Sequence, residues 1–130
     1  MRGDDMFRIG VGGCRFFNDY QLFQKEMDLF LHELQLTDDI VINSGHCKGA
    51  DLLAEKYAKE KGYQLILFPA KWSEYGRCAG VLRNKEIVKN SDIIIAFWDG
   101  KSKGTKSLID NAASFSKPFK IVYIDSKPPT

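Results

Sequence analysis

The sequence predicts an α/β fold, a three-layer sandwich in which a mostly parallel five-stranded sheet lies between helices on its two faces. Two features carry this reading. Short apolar runs alternate with amphipathic helical patterns along the chain. The fourth run, Ile93-Ile94-Ile95-Ala96-Phe97, is apolar without a break, as suits a strand covered on both faces.

The elements follow in order. Phe7-Arg8-Ile9-Gly10-Val11 reads as the first strand, stopped by Gly12-Gly13. Asn18 and Asp19 are side chains that cap helices, and after them Phe23, Met27, Phe30, Leu31 and Leu34 recur at three- and four-residue steps to make one apolar face. Asp39–Asn43 is the second strand, ending in Ser44-Gly45. The next helix turns Ala50, Leu53, Ala54, Tyr57 and Ala58 inward and closes at Gly62. Gln64–Phe68, ended by Pro69, is the third strand. A longer connection through Lys71-Trp72-Ser73-Glu74-Tyr75-Gly76 leads to a helix over about Ala79–Lys89. After the fourth strand, Gly104-Thr105 opens a helix with Leu108, Ile109, Ala112 and Ala113 on its inner side. Lys117-Pro118 ends it, and Phe119–Ile124 is the fifth strand. Two strand orders, 3-2-1-4-5 and 2-1-3-4-5, suit this alternation with right-handed crossovers, and the first is the expected one. Both place ligands outside the carboxyl ends of the strands.

The 130 residues fit one domain, with frayed tails expected over 1–5 and 126–130. With 44% hydrophobic and 28% charged residues the composition is that of a globular chain, and a net charge of +2 argues against a nucleic-acid partner. Cys14, Cys47 and Cys78 are an odd number without a C-x-x-C pair, so a reducing, cytoplasmic setting is expected. No leader or membrane span is read in the apolar runs.

Three loops that follow strands share one character. They are Gly12-Gly13-Cys14-Arg15-Phe16, Ser44-Gly45-His46-Cys47-Lys48-Gly49-Ala50-Asp51, and Trp98-Asp99-Gly100-Lys101-Ser102-Lys103-Gly104-Thr105. Each joins glycines, which let backbone N–H groups approach a ligand, to a cation. Two run into helix N-termini, whose free N–H groups and dipole favour anions. One such loop is an ordinary turn as readily as a site; three on one edge describe a phosphate cradle. Gly10-Val11-Gly12-Gly13-Cys14-Arg15 has Arg where the dinucleotide fingerprint needs its last Gly, and Gly100–Lys106 lacks P-loop spacing. A dinucleotide dehydrogenase and a P-loop ATPase are therefore disfavoured.

Other residue types extend the candidate site. Arg83 offers a planar fork of donors for phosphate or carboxylate, and Asn84 both donates and accepts; the plainer alternative is a solvated helix face. Trp72, Trp98 and Phe16 suit stacking on a base, or a roof over the sheet edge. Asp51 and Asp99 are candidates for a ribose hydroxyl or for acid–base work, against the simpler roles of helix start and turn. His46 and the cysteines match no zinc spacing, so no metal site and no cofactor are expected.

Four segments together resemble the YspA-like branch of the SLOG superfamily: Gly13–Tyr20; Ser44–Asp51 with Ala54-Glu55; Pro69–Trp72 with Ala79-Gly80 and Arg83-Asn84; and Ala96–Thr105. The superfamily includes the lonely-guy phosphoribohydrolases and the single-stranded-DNA-binding Smf/DprA proteins. The resemblance implies a Rossmann-like fold, binding of a nucleotide, nucleotide sugar or ADP-ribose-like molecule, and a homo-oligomer. Lonely-guy enzymes carry Gly-Gly-x-Gly-Thr-x-x-Glu, with an Arg on an earlier helix. Here Gly104-Thr105 falls in register and Arg83 matches the Arg, but the Glu position is Leu108. Three readings follow: a binding or sensing module with phosphates at Gly49 and Gly104 and charge from Lys48, Lys103, Arg15 and Arg83; a hydrolase using Arg83 with Asp99 or Asp51; and, disfavoured by the modest charge, a single-stranded-DNA binder.

Overall fold

The structure is a computed structural model that describes residues 6–36 and 39–125; the tails expected at either end lie outside the described residues. Strands β1 (Met6–Gly13), β2 (Asp39–Ser44), β3 (Gln64–Leu67), β4 (Ile93–Trp98) and β5 (Phe119–Tyr123) form one sheet in the order β3-β2-β1-β4-β5. Every pairing is parallel, and the order is the expected one. Among the described residues, no helix is long and apolar enough to cross a membrane.

Period-2 alternation sorts the sheet residues onto two faces. Ile9, Val11, Ile42, Ile95 and Phe97 pack with Phe23, Met27 and Phe30 of α1 (Tyr20–Leu34) and with Ala54, Tyr57 and Ala58 of α2 (Ala50–Lys61). Phe97 stacks on Phe23 at 4.7 Å and on Phe17 at 5.5 Å, joining β4 to that layer. On the other face, Ile94 packs with Ile87 and Val88 of α4 (Ala79–Lys89) and Leu108 and Ala112 of α5 (Lys103–Ser114). Each buried Val, Leu, Ile, Phe or Met side chain among these stabilises the fold by about 1.5–3 kcal/mol.

The expected caps form at the first two helices. Asp19 accepts a 3.1 Å hydrogen bond from the Leu22 N–H, and Gly62 takes a left-handed φ of 75° to close α2.

Three expectations need correction. Strand β1 does not stop at Gly12-Gly13 but pairs through both, with Ala96 and Phe97. Their want of side chains serves packing: a Cβ on Gly12 would stand 2.5 Å from Leu108 Cδ2, so glycine here lets α5 lie close on the sheet. The connection expected after β3 contains a short helix, α3 (Trp72–Tyr75), and a 3-10 turn at Gly76–Cys78. Four residues are too few for a period to show in sequence. Finally, Ala113 is exposed; Leu108, Ile109 and Ala112 complete the buried stripe of α5, and the next residue turns outward.

Candidate functional site

Parallel strands bring the loops after β1, β2 and β4 to one edge, and between β1 and β4 the strand order reverses. A cleft of about 440 Å³ opens at that switch point. Val11, Ile87 and Leu108 give it apolar lining. Its polar lining comes from Gly12–Arg15 of the β1 end, Cys47 and Asp51 of the β2–α2 segment, Arg83 and Asn84 of α4, and Ser102–Thr105 of the α5 start.

The α5 end is built to be open. Asp99 Oδ1 accepts from the Lys101 and Ser102 N–H groups at 2.9 and 2.8 Å, and Trp98 Nε1 donates to the Ser102 carbonyl at 3.0 Å. The Cys14 thiol donates to Ser102 Oγ at 3.2 Å, tying this loop to β1. Lys106 N–H makes the first helical bond, to the Ser102 carbonyl at 3.1 Å. The N–H groups of Lys103, Gly104 and Thr105 therefore have no acceptor among the described residues, and all three residues line the cleft.

The α2 end differs in that one of its first three N–H groups is taken and Gly49 and Ala50 do not line the cleft. Its Ala50 N–H donates to the Cys14 carbonyl at 3.3 Å, and a Cβ on Gly49 would meet that same oxygen at 2.2 Å. Gly49, at φ 83°, is glycine because β1's loop lies against it.

Arg83 is held in place from two sides. Its Nη1 donates to the Gly45 carbonyl at 2.7 Å and to Cys47 Sγ at 3.4 Å, and its Nε donates to Asn84 Oδ1 at 2.9 Å. Nη2 makes no hydrogen bond among the described residues. Asn84, nearly buried, donates through Nδ2 to the Gly104 carbonyl at 3.2 Å and to Ser107 Oγ at 3.4 Å, so it fixes α4 against the open end of α5.

The model of the YspA, cpYpsA-related SLOG family matches residues 7–75. The chain is also 30% identical over 129 residues to the Gene 61 protein of Mycobacterium phage D29, covering 95% of this chain and all of that one. The chain belongs to the YspA, cpYpsA-related SLOG family. The X-ray structure of TM1055 shares the fold, with a TM-score of 0.63 and 17% identity over 88% of this chain and 72% of that one. SLOG membership supports a role in binding or processing a nucleotide-related molecule.

Two carboxylates of this SLOG protein, paired as candidates in the sequence, differ in the structure. Burial pushes Asp51 up to about 6; the Cys47 N–H, at 3.2 Å from Oδ2, and the Arg83 charge oppose that, while Glu55 adds to it. It stands in the cleft as a carboxyl that changes charge near neutrality. Partial desolvation works on Asp99 too, but the N–H groups of Ser102 and Lys101 outweigh it and hold the carboxyl below the usual range. Asp99 does not line the cleft; it shapes the loop that does.

Of the residues singled out in the sequence, Gly12, Gly13, Cys14, Arg15, Asp51, Arg83, Asn84, Ser102, Lys103, Gly104 and Thr105 come together around the SLOG cleft, with Phe16 beside them. Others stand apart from its lining. Ser44, fully buried, has the Asp51 carbonyl at 3.1 Å and Glu55 Oε2 at 3.2 Å as alternative acceptors for its one hydroxyl proton; Gly45 leaves room for Arg83, whose Nη1 would lie 2.5 Å from a Cβ there; Lys48 is exposed. Trp72 is half-exposed beside Gly80, and Trp98 packs its ring on Tyr123. Sequence reading gave Val11 and Ile87 no place in the site, marked Leu108 for its position in the lonely-guy motif and not as lining, and left Cys47, a member of the second glycine loop, out of the binding residues. The Arg83 contact that draws Cys47 into the cleft crosses 36 residues and leaves no local signal.

Proposed function

We propose that the cleft binds a nucleotide-derived, phosphate-bearing small molecule such as a nucleotide, nucleotide sugar or ADP-ribose-like compound, and that the protein is a sensor, sponge or binding module for it. The observation that carries this is the set of three unspent N–H groups at Lys103, Gly104 and Thr105, opening into the same cleft as the cations Arg15, Arg83 and Lys103. We place the phosphate at the α5 end because Gly49 and Ala50 do not line the cleft and the Cys14 carbonyl takes the Ala50 N–H. A thermal-shift panel of nucleoside mono- and diphosphates and ADP-ribose, with unphosphorylated nucleosides as controls, tests it. A phosphate-bearing compound at a hundred times its Kd should stabilise the protein by about 2.7 kcal/mol. A panel that moves the melting temperature for none of them overturns the reading.

A hydrolase acting on an N-glycosidic or ADP-ribose-type bond is favoured by one further observation, the Asp51 carboxyl pushed up to about 6 within the cleft. Leu108 supplies no acid or base, and Asp99 is engaged by backbone, so the acid–base role in this reading belongs to Asp51, with Arg83 stabilising developing charge. Product formation that survives Asp51→Asn removes it. We propose in addition that the chain assembles into a homo-oligomer; light scattering should give a multiple of the 14.8 kDa chain mass.

A further inference from the structure

A second hollow, of about 540 Å³, lies beside the cleft, between the β3–α3 connection and the outer stripe of α4. Phe68, Pro69, Tyr75, Ala79 and Leu82 give it apolar walls, and Lys71 and Glu86 also line it. Helical spacing explains the division of α4. Ala79, Leu82, Arg83 and Glu86 recur at three- and four-residue steps and line the hollow, whereas Asn84 and Ile87 line the cleft. Arg83 stands on the boundary and lines both cavities. Tyr75 is 45% and Leu82 37% exposed, so these two side chains are open to a ligand, while Phe68 also packs on the core beneath α4.

We infer that this hollow receives the heterocyclic base of the bound nucleotide, with Arg83 beside the sugar and the phosphate at the α5 end. The assignment rests on the phosphate reading above. A nucleotide held by its phosphate at the α5 end carries its base away from that end, and this concavity adjoins the cleft through the residue both share. Phe68 and Tyr75 offer aromatic rings to a planar base, worth about 0.5–1.5 kcal/mol per stacked pair beyond the area buried. The Lys71 ammonium donates and the Glu86 carboxylate accepts, which suits the mixed donor and acceptor edge of a base. The ligand class is thus a nucleoside 5′-phosphate or a molecule containing one, rather than a sugar phosphate.

The test measures binding of the four nucleoside 5′-monophosphates and of ribose 5-phosphate to the full chain, to Tyr75→Ala and to Leu82→Asp. Both side chains are exposed enough for the variants to fold, which their melting temperatures check. At least one monophosphate should bind wild type tenfold or more tighter than ribose 5-phosphate, and each variant should lose most of that advantage while holding ribose 5-phosphate within twofold. Nucleotide affinity unchanged in both variants overturns the base assignment and leaves the phosphate reading standing. A changed molecular mass with nucleotide affinity intact also overturns it, and makes the hollow a contact between copies of this chain. Failure of every monophosphate and of ribose 5-phosphate to bind wild type overturns both.

Discussion

Asp51 is where a single residue joins stability to function. Its folded pKa, about 6, lies above the ordinary carboxylate value, so the native protein holds a proton that the unfolded chain releases between about pH 4 and 6. The stability this group contributes is complete below pH 4 and is lost as pH rises through 6; above that the buried charge costs on the order of 3 kcal/mol. Asp51→Asn should therefore melt higher than wild type above pH 7, the gap closing towards pH 4, as a series of melts across buffers would read. Arg83→Gln removes a charge that lowers the Asp51 pKa, so carboxyl titration by NMR should find it higher in that variant. Asp51 and Asp99 look alike in sequence, each an Asp in a glycine-bearing loop. What separates them is which backbone N–H groups each meets and how deeply each lies, and that is decided by the fold.

Among the elements, β1 and α5 define the site. Gly12→Ala would press a methyl group on Leu108, an overpacking that costs about 1–3 kcal/mol, and Leu108→Ala in the same chain should recover part of it; denaturant melts of the two single variants and the double measure this. At the α5 end, Ser102 has an extended ψ of 123°, the conformation preferred before proline, and Lys103 is the first helical residue, where proline is tolerated. Lys103→Pro removes charge and N–H together, whereas Lys103→Gln removes only charge. The Pro variant should bind a nucleotide about tenfold more weakly than the Gln variant, the worth of one charge-assisted hydrogen bond, with no lower melting temperature. Calorimetric titration gives the comparison. The four longer helices and the five strands were legible from their apolar patterns, whereas the four-residue α3 was not. Which glycine loop is open was not, since Gly49 and Gly104 read alike until the backbone of Cys14 and Arg15 is found lying on one of them.

For the molecule as a whole, the sheet order places the cleft at the β1–β4 switch point, and alternation of strand and helix was enough to restrict that order to two choices. Clustering of cations on one edge was also legible, because every loop after a parallel strand emerges there. The second hollow was not, although all its lining lies within residues 67–86, as it depends on a one-turn helix too short for a period to show, which turns the chain after β3 back against α4. The central claim is that a phosphate lies on the free N–H groups of α5. Titrating isotope-labelled protein with the nucleotide that binds tightest, and following backbone amides by NMR, observes those groups directly. The largest shifts are expected at Lys103, Gly104 and Thr105, with smaller ones at Gly12–Arg15. Amides that stay still at the α5 end while those around Gly49 move, or while none move, would contradict it.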